Sequence, residues 1–131
     1  MTHVVQVTRF GGPEVLVTIS VPDPVPGPGE VIIAVSAADV LFLDAVIRSG
    51  RAAAWFPVTP PYVPGNGVAG RVSAVGEGVG GGWAGRAVVA RTGAGGGSGG
   101  YAEQVAVPAG QLVPVPDGAG LAEAAAVLHD G

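Results

Sequence analysis

The sequence has 131 residues, 48% of them hydrophobic, with 24 Gly and 12 Pro, so it predicts one folded domain rich in turns and short strands. Charged residues make up 12%, the formal net charge is −4, and the six basic residues are dispersed arginines, which excludes the basic patch that nucleic-acid binding needs. The chain has no Cys and no apolar run of the roughly 20 residues that cross a bilayer, which excludes disulfides, thiolate catalysis, cysteine-ligated zinc and a membrane span.

The hydrophobic pattern predicts short strands separated by turns. Residues 1–3 lead directly into a strand-like run with no charged and apolar signal segment, so we expect a cytoplasmic protein. Four prolines between residues 22 and 28 predict an extended connector that cannot donate to a sheet. Alternating or continuous apolar residues predict strands at 4–9, 15–20, 30–38, 68–75, 86–91, 101–107 and 111–115.

Two helices are expected. The first spans 39–49, with Asp39 as its N-cap and Gly50 as its terminating glycine. The second begins at Leu121 and runs to residue 128, where the chain is about to end, while residues 51–64 form an irregular loop. The predicted fold is therefore mainly β, a distorted β-barrel with one internal helix and a truncated C-terminal helix.

A glycine-rich segment between two predicted strands matches a dinucleotide-binding spacing. Gly95, Gly97 and Gly100 satisfy G-x-G-x-x-G. That motif needs a strand before it and a helix after it, so that a helix N-terminus meets the pyrophosphate. Residues 101–108 instead alternate and end in proline, which is typical of a strand. We therefore interpret the segment as a plain flexible loop.

Four segments in unbroken order resemble the medium-chain dehydrogenase/reductase superfamily, in its zinc-independent quinone oxidoreductase branch. They are RFGGPEVL (9–16), VPDPVPGPGEVIIAV (21–35), YVPGNGVAGRVSAVGEGV (62–79) and GGYAEQVAVPAGQLVPVPDG (99–118). The resemblance implies a GroES-like barrel that carries the substrate, followed by a Rossmann domain that carries the nicotinamide cofactor. We therefore expect residues 1–131 to be the GroES-like substrate-side (catalytic) domain, with the Rossmann cofactor domain absent from this chain.

The positions that hold catalytic zinc in other members of this superfamily carry different residues here. The resemblance places the Cys ligand at Leu41 and the His and Glu ligands at Asn66 and Gly67. A hydrocarbon side chain cannot ligate a metal, so no metal is expected. Many quinone reductases have Asn at the position of Leu41 and Tyr at that of Val46. Both residues are aliphatic here, so the resemblance does not identify the substrate.

The resemblance also implies a set of site residues. NADPH is the expected cofactor, bound mainly by the Rossmann domain, and its hydride passes to an electron-poor quinone or conjugated alkene while solvent supplies the proton. No residue is assigned as the catalytic acid. The expected substrate-binding residues are Leu41, Phe42, Val46, Trp55 and Phe56, and the expected cofactor-binding residues are Leu41, Asp44, Asn66 and Gly67.

Three of these assignments have structural alternatives. The Asp44 carboxylate is expected either to accept a hydrogen bond from the Asn66 amide or to form an ordinary ion pair on the helix surface with Arg48, four residues on. Trp55 and Phe56 either line an apolar slot for a flat ring or fill the core beneath their loop. The pair His129 and Asp130 allows acid/base chemistry but is expected to be exposed near the chain end.

The expected function is that of the N-terminal domain of an NAD(P)H-dependent oxidoreductase that reduces quinones or activated alkenes and carbonyls without zinc. The alternatives are a stand-alone GroES-like binding module with no redox activity, and an enoyl reductase of a polyketide pathway. The 131-residue chain is expected to be inactive alone and to expose apolar surface that drives self-association. The full-length form is expected to be a homodimer with a small-molecule substrate.

Overall fold

A computed structural model describes residues 1–38, 48–50, 60–65, 67–92, 99–116 and 120. Within these residues the chain forms strands and short 3₁₀ helices, as expected for a mainly β domain. The 3₁₀ helices are Pro13–Val15, Gly81–Trp83 and Ala109–Gln111. The strands are β1 (Thr2–Val7), β2 (Leu16–Val21), β3 (Glu30–Ala38), β4 (Gly67–Val75), β5 (Ala87–Arg91), β6 (Gln104–Pro108) and β7 (Val113–Pro114).

The strands form a two-stranded ribbon and a five-stranded sheet. β1 pairs with β2, and the larger sheet has the order β6-β3-β4-β5-β7 with every neighbouring pair antiparallel. The register between β3 and β4 shifts between Ile32 and Ile33 and again between Val35 and Ala37. Such irregularities bend a strand and increase its twist, which curves the sheet. The ribbon joins the sheet region through two isolated bridges, Val4 to Ala102 and Val7 to Tyr62.

The main core cluster lies on one face of the curved sheet, and a smaller buried cluster of Ala69, Val89 and Val115 lies on the other. Alternate residues of β3 and β4 point into the main cluster, since successive side chains of a strand face opposite ways. Ile32 is only 2% exposed although its neighbours Val31 and Ile33 face the other way, so β3 is buried on both faces. By contrast β2 has no fully buried residue. The main cluster contains Val31, Ile33, Val68, Val72, Val88, Ala90, Val105, Val107 and Leu112.

Three predicted strands, β1, β6 and β7, are displaced by two residues or more at one end or both, whereas β2, β4 and β5 differ from their predicted bounds by one residue. β1 ends at Val7 rather than Arg9, because the chain then turns so that the Gly11 amide donates to the Arg48 carbonyl at 2.9 Å. β6 begins at Gln104 rather than Tyr101, because residues 101–103 bond to β1 instead. β7 shrinks to Val113–Pro114, since the residues before it form a 3₁₀ helix.

Most of the predicted helices lie outside the described residues. Of the helix predicted at 39–49, residues 48 and 49 are described and are helical. Gly50 follows with a φ of +86°, the left-handed conformation expected of a glycine that ends a helix. The predicted C-terminal helix from Leu121 falls outside the described residues. In the described part of the chain, no helix is long and apolar enough to span a bilayer.

Candidate functional site

The described residues include one of the predicted site residues. Gly67 is buried, begins β4 and is the Cα partner of Arg91, the last residue of β5. It therefore lies at the end of two central strands, and the residue before it in the chain is Asn66. Leu41, Phe42, Asp44, Val46, Trp55, Phe56, Asn66, His129 and Asp130 lie outside the described residues, and their predicted roles stay predictions.

Two backbone segments, residues 63–65 and residues 99–101, run side by side close to Gly67. The amide of Gly100 donates to the Gly65 carbonyl at 3.3 Å, and the amide of Tyr101 donates to the Pro64 carbonyl at 3.1 Å. A third bond comes from the Thr92 hydroxyl, whose Oγ1 donates to the Gly65 carbonyl at 3.0 Å. We call this set, residues 63–65, Thr92 and residues 99–101, the glycine junction.

The glycine junction has no room for side chains at its glycines. A Cβ on Gly99 would lie 2.1 Å from the Pro64 carbonyl oxygen, and one on Gly100 would lie 2.4 Å from a Val68 methyl group. A Cβ on Gly65 would lie 2.8 Å from the Gly100 nitrogen, and Gly65 also has a φ of +109°, which side chains disfavour. The two segments can therefore approach this closely because glycine occupies each contact.

The sequence interpretation of this region is partly wrong. The strand predicted after the glycine-rich segment is present as β6, so no helix follows to bind a pyrophosphate. Residues 93–98, including Gly95 and Gly97, lie outside the described residues. Gly100, however, is buried and hydrogen-bonded rather than part of a flexible loop. The only sequence feature that marks this close contact is the pair Gly99-Gly100 directly before an aromatic residue. Such a pair carries little information in a chain with 24 Gly.

Charged groups cluster at the N-terminal end of β1, away from Gly67. The pKa of Glu103 is held below its usual value, first by the His3 backbone amide that donates to it at 2.6 Å and then by the His3 ring at 2.9 Å. The pKa of Asp23 is lowered by the Thr2 hydroxyl at 2.7 Å and by the N-terminal amine. These carboxylates are exposed, so they fix local structure rather than form a buried acid/base site. The described stretches contain no group of three His, Asp or Glu placed to hold a metal ion.

A cavity of about 270 Å³ lies between β1, β6 and the segment after β2. Val63 and Gly99 form part of its wall, whereas Gly67 does not. Its lining mixes apolar side chains with Thr2, Gln6 and Gln104. The Gln104 amide donates to the Thr2 hydroxyl at 3.2 Å, so the polar groups of this cavity are at least partly bonded to each other.

The antiparallel sheet and its two-stranded ribbon belong to a GroES-like domain of the kind found in alcohol dehydrogenases. The alcohol dehydrogenase GroES-like domain family matches residues 27–117, and the chain belongs to this family. The predicted membership in the medium-chain dehydrogenase/reductase superfamily, near its quinone oxidoreductases, is thereby confirmed together with the GroES-like fold.

Individual relatives agree with this assignment. A quinone oxidoreductase from Lama guanicoe is 43% identical over 82 residues, which cover 60% of this chain and 24% of that protein. The crystal structure of human synaptic vesicle membrane protein VAT-1 homolog-like protein superposes with a TM-score of 0.86 at 32% identity, over 95% of this chain and 39% of that one. A mycobacterial protein in complex with NADPH superposes with a TM-score of 0.77 at 36% identity, over 92% of this chain and 34% of that one. The chain thus spans about a quarter of the length of the curated relatives it matches.

Proposed function

We propose that this chain is the substrate-side domain of an NADPH-dependent oxidoreductase that reduces quinones or activated alkenes and carbonyls without zinc. The observation that carries the proposal is the 43% identity to a quinone oxidoreductase in a chain whose three zinc-ligand positions are Leu41, Asn66 and Gly67. The NADPH complex of a similar structure supports the choice of cofactor. A cytoplasmic location and a homodimeric complete protein remain predictions.

The described residues next to Asn66 leave its side chain without neighbours in sequence that carry one. Gly65 and Gly67, the residues on either side of Asn66, are both glycines. Three hydrogen bonds fix the carbonyls of Pro64 and Gly65, the residues that precede Asn66. Gly67 is buried, and we assign it to the cofactor side of the site together with Leu41, Asp44 and Asn66.

The task of the protein in this reaction is orientation. NADPH supplies the hydride when it is bound. We assign the aliphatic and aromatic side chains of Leu41, Phe42, Val46, Trp55 and Phe56 to an apolar pocket that holds the substrate ring. Such positioning converts an encounter between two molecules into a reaction of a bound pair, and this alone lowers the barrier by several kcal/mol. No side chain is needed as a proton donor if solvent reaches the reduced oxygen.

We propose that the reaction needs no zinc, on the chemistry of the ligand positions. Leu41 offers only carbon and hydrogen, and Gly67 has no side chain, so neither can coordinate a metal. An amide such as that of Asn66 does not form a zinc site by itself. We therefore expect the reaction to proceed by cofactor and orientation alone.

The test compares two proteins, the product of the complete reading frame that contains these residues and residues 1–131 alone. NADPH consumption is followed by absorbance with and without benzoquinone. We expect quinone-dependent consumption by the complete protein, unchanged after dialysis against EDTA, and none by residues 1–131. A complete protein that leaves NADPH unchanged with benzoquinone and with a conjugated enone would contradict the proposal and favour a stand-alone binding module. Loss of activity in EDTA that zinc restores would refute zinc independence.

A further inference from the structure

Three residues of β1 line the cavity between β1, β6 and the segment after β2. They are Thr2, Val4 and Gln6, which share one face of the strand because alternate residues do so. The strand is held along both edges. It pairs with β2 over all 6 of its residues, and on the other edge the Val5 amide donates to the Tyr101 carbonyl at 2.8 Å. Backbone hydrogen bonds therefore fix this wall of the cavity.

The connector after β2 supplies another part of the wall. Pro22 and Pro24 line the cavity, and neither has an amide hydrogen to donate to a sheet. The connector therefore borders the cavity without extending the ribbon. The volume of about 270 Å³ exceeds the roughly 150 Å³ that holds benzene in an engineered cavity. It lies just below the roughly 300 Å³ at which larger ligand sites begin, so the cavity has the size for a molecule of one ring.

The polar side chains of the lining differ in their hydrogen bonds. The Thr2 hydroxyl donates to Asp23 at 2.7 Å and accepts from the Gln104 amide at 3.2 Å, so Thr2 and Gln104 are bonded within the protein. The side chain of Gln6 is half-buried and forms no hydrogen bond with the part of the chain that the structure describes. Its amide carries two donor hydrogens and an acceptor oxygen. Gln6 is therefore the polar group of this lining that a ligand can bond without breaking a bond of the protein.

The lining contains no charged side chain among the described residues. The charge beside it is the Asp23 carboxylate, which lies between the two lining prolines in the chain and contacts the Met1 amine at 3.3 Å. A carboxylate at this place disfavours an anion, and the lining has no cation to attract one. An ion without a partner in a mainly apolar site is costly to desolvate. The cavity therefore favours an uncharged ligand.

We propose that this cavity is a binding site for an uncharged molecule of one ring that carries a hydroxyl group, such as a phenol. The ring packs against the apolar lining of Val4 and Val21, and the hydroxyl bonds to the Gln6 amide. Such a lining, mainly apolar with few polar groups that fix orientation, is typical of small-molecule sites. The proposal goes beyond the proposed oxidoreductase function and does not rest on it, since Gly67, the described residue assigned to the cofactor, does not line this cavity.

The test compares phenol, toluene and benzoate as probes of the isotopically labelled complete protein by nuclear magnetic resonance. Phenol and toluene have nearly the same shape, but toluene cannot form a hydrogen bond with Gln6. We expect phenol to shift the backbone amide signals of Val4, Gln6 and Ala102, and the charged benzoate to leave them unchanged.

A substitution at Gln6 separates its amide from its bulk. Gln6→Met keeps the length of the side chain and removes the amide. The ratio of the Kd for toluene to the Kd for phenol, measured from these signals, should fall about fivefold, the effect of one lost hydrogen bond. The matched control is Gln111→Met, because Gln111 is exposed and does not line the cavity. Its ratio should stay within about twofold of the parent.

Each part of the proposal has its own contrary result. Unshifted signals at Val4, Gln6 and Ala102 up to the solubility limit of phenol would overturn the site. Benzoate binding there as tightly as phenol would overturn the preference for an uncharged ligand. An equal ratio in the parent and in Gln6→Met would refute the hydrogen bond to Gln6, and Gln6→Leu makes the same comparison should Gln6→Met not fold. A complete protein that binds phenol here but does not oxidise NADPH would refute the proposed function and leave this inference standing.

Discussion

The valine-rich sheet and the glycine junction hold the same domain together in opposite ways. In the sheet, β-branched side chains such as Val31, Ile33 and Val68 pack together on one face and stabilise the fold by removing apolar surface from water. At the glycine junction, stability comes from having no side chains, because carbonyls of residues 63 and 64 occupy the space that a Cβ on Gly99 would need.

This difference indicates how each region tolerates change. A filled core accepts another apolar side chain of similar volume at modest cost. Where two backbone segments are in contact at a glycine, no residue with a side chain can replace that glycine, because a backbone carbonyl cannot move aside as a side chain can. The same restriction holds at single positions elsewhere, such as Gly70 in β4, where a Cβ would lie 2.1 Å from the Ala34 carbonyl oxygen, but the glycine junction groups three such glycines.

The largest expected effect is that of a methyl group at the glycine junction. Gly99→Ala would place its Cβ 2.1 Å from the Pro64 carbonyl oxygen, which forces the two segments apart. We expect the free energy of unfolding to fall by about 3 kcal/mol or more, measured by urea denaturation.

The matched control is Gly80→Ala on the turn before β5. Gly80 has a φ of −63° and no neighbour within 4 Å of an added Cβ, so alanine fits without strain. Its unfolding free energy should stay within about 0.5 kcal/mol of the parent or rise slightly. Equal losses for the two variants would erase the distinction between the glycine junction and ordinary glycine turns.

The core should show a smaller effect when one methyl group is removed. Ile33 is fully buried in the main cluster, and Ile33→Val keeps the branched shape while leaving a small cavity. We expect a loss of about 1 kcal/mol in the free energy of unfolding. Val25→Ala, at a side chain that is 83% exposed, serves as the control and should change little. A loss at Ile33 as large as that at Gly99 would contradict the view that the sheet tolerates change better.

The smallest effect is expected where Glu103 ties the segment leaving the glycine junction to β1. Because the pKa of Glu103 in the folded state lies below its usual value of 4.5, its contribution to stability is present above that value and is lost as the pH falls through the lowered pKa. The urea midpoint should therefore fall as the pH drops from about 6 to about 3. Glu103→Gln should reduce that fall without abolishing it, since the pKa values of Asp23 and Glu14 are lowered as well.

Ionic strength separates the causes of that acid dependence. The first cause of the lowered pKa of Glu103 is a hydrogen bond from the His3 amide rather than a distant charge. Salt screens charges far more than it weakens hydrogen bonds. The difference between Glu103→Gln and the parent should thus persist in high salt, and its disappearance there would show that attraction between charges dominates instead.

Much of the fold could be predicted from the sequence because hydrophobic alternation is a local signal. β3 has the predicted bounds, since its apolar run is long and bordered by a turn. The ends of β1, β6 and β7 were misplaced because they depend on pairing with distant residues, such as the bond of the Glu103 amide to the His3 carbonyl. No window of neighbouring residues carries that information.

The candidate site could be predicted only in outline. The resemblance to a known family placed Leu41, Asn66 and Gly67, and of these the structure describes Gly67. Thr92 and Gly99 were missed because their importance arises from contacts with residues 63–65, about 27 or more positions away in the chain. A threonine after a strand and a pair of glycines are common, so their roles emerge only when the two segments are brought together.

Mapping where NADPH binds on this chain is the most direct test of its proposed function. In the isotopically labelled complete protein, NADPH is added stepwise while backbone amide signals of residues 1–131 are followed by nuclear magnetic resonance. We expect the largest shifts at Asn66, Gly67 and Gly65, with smaller ones at Gly100. Unchanged signals at these residues, with shifts confined to the cavity between β1 and β6, would contradict the proposed site.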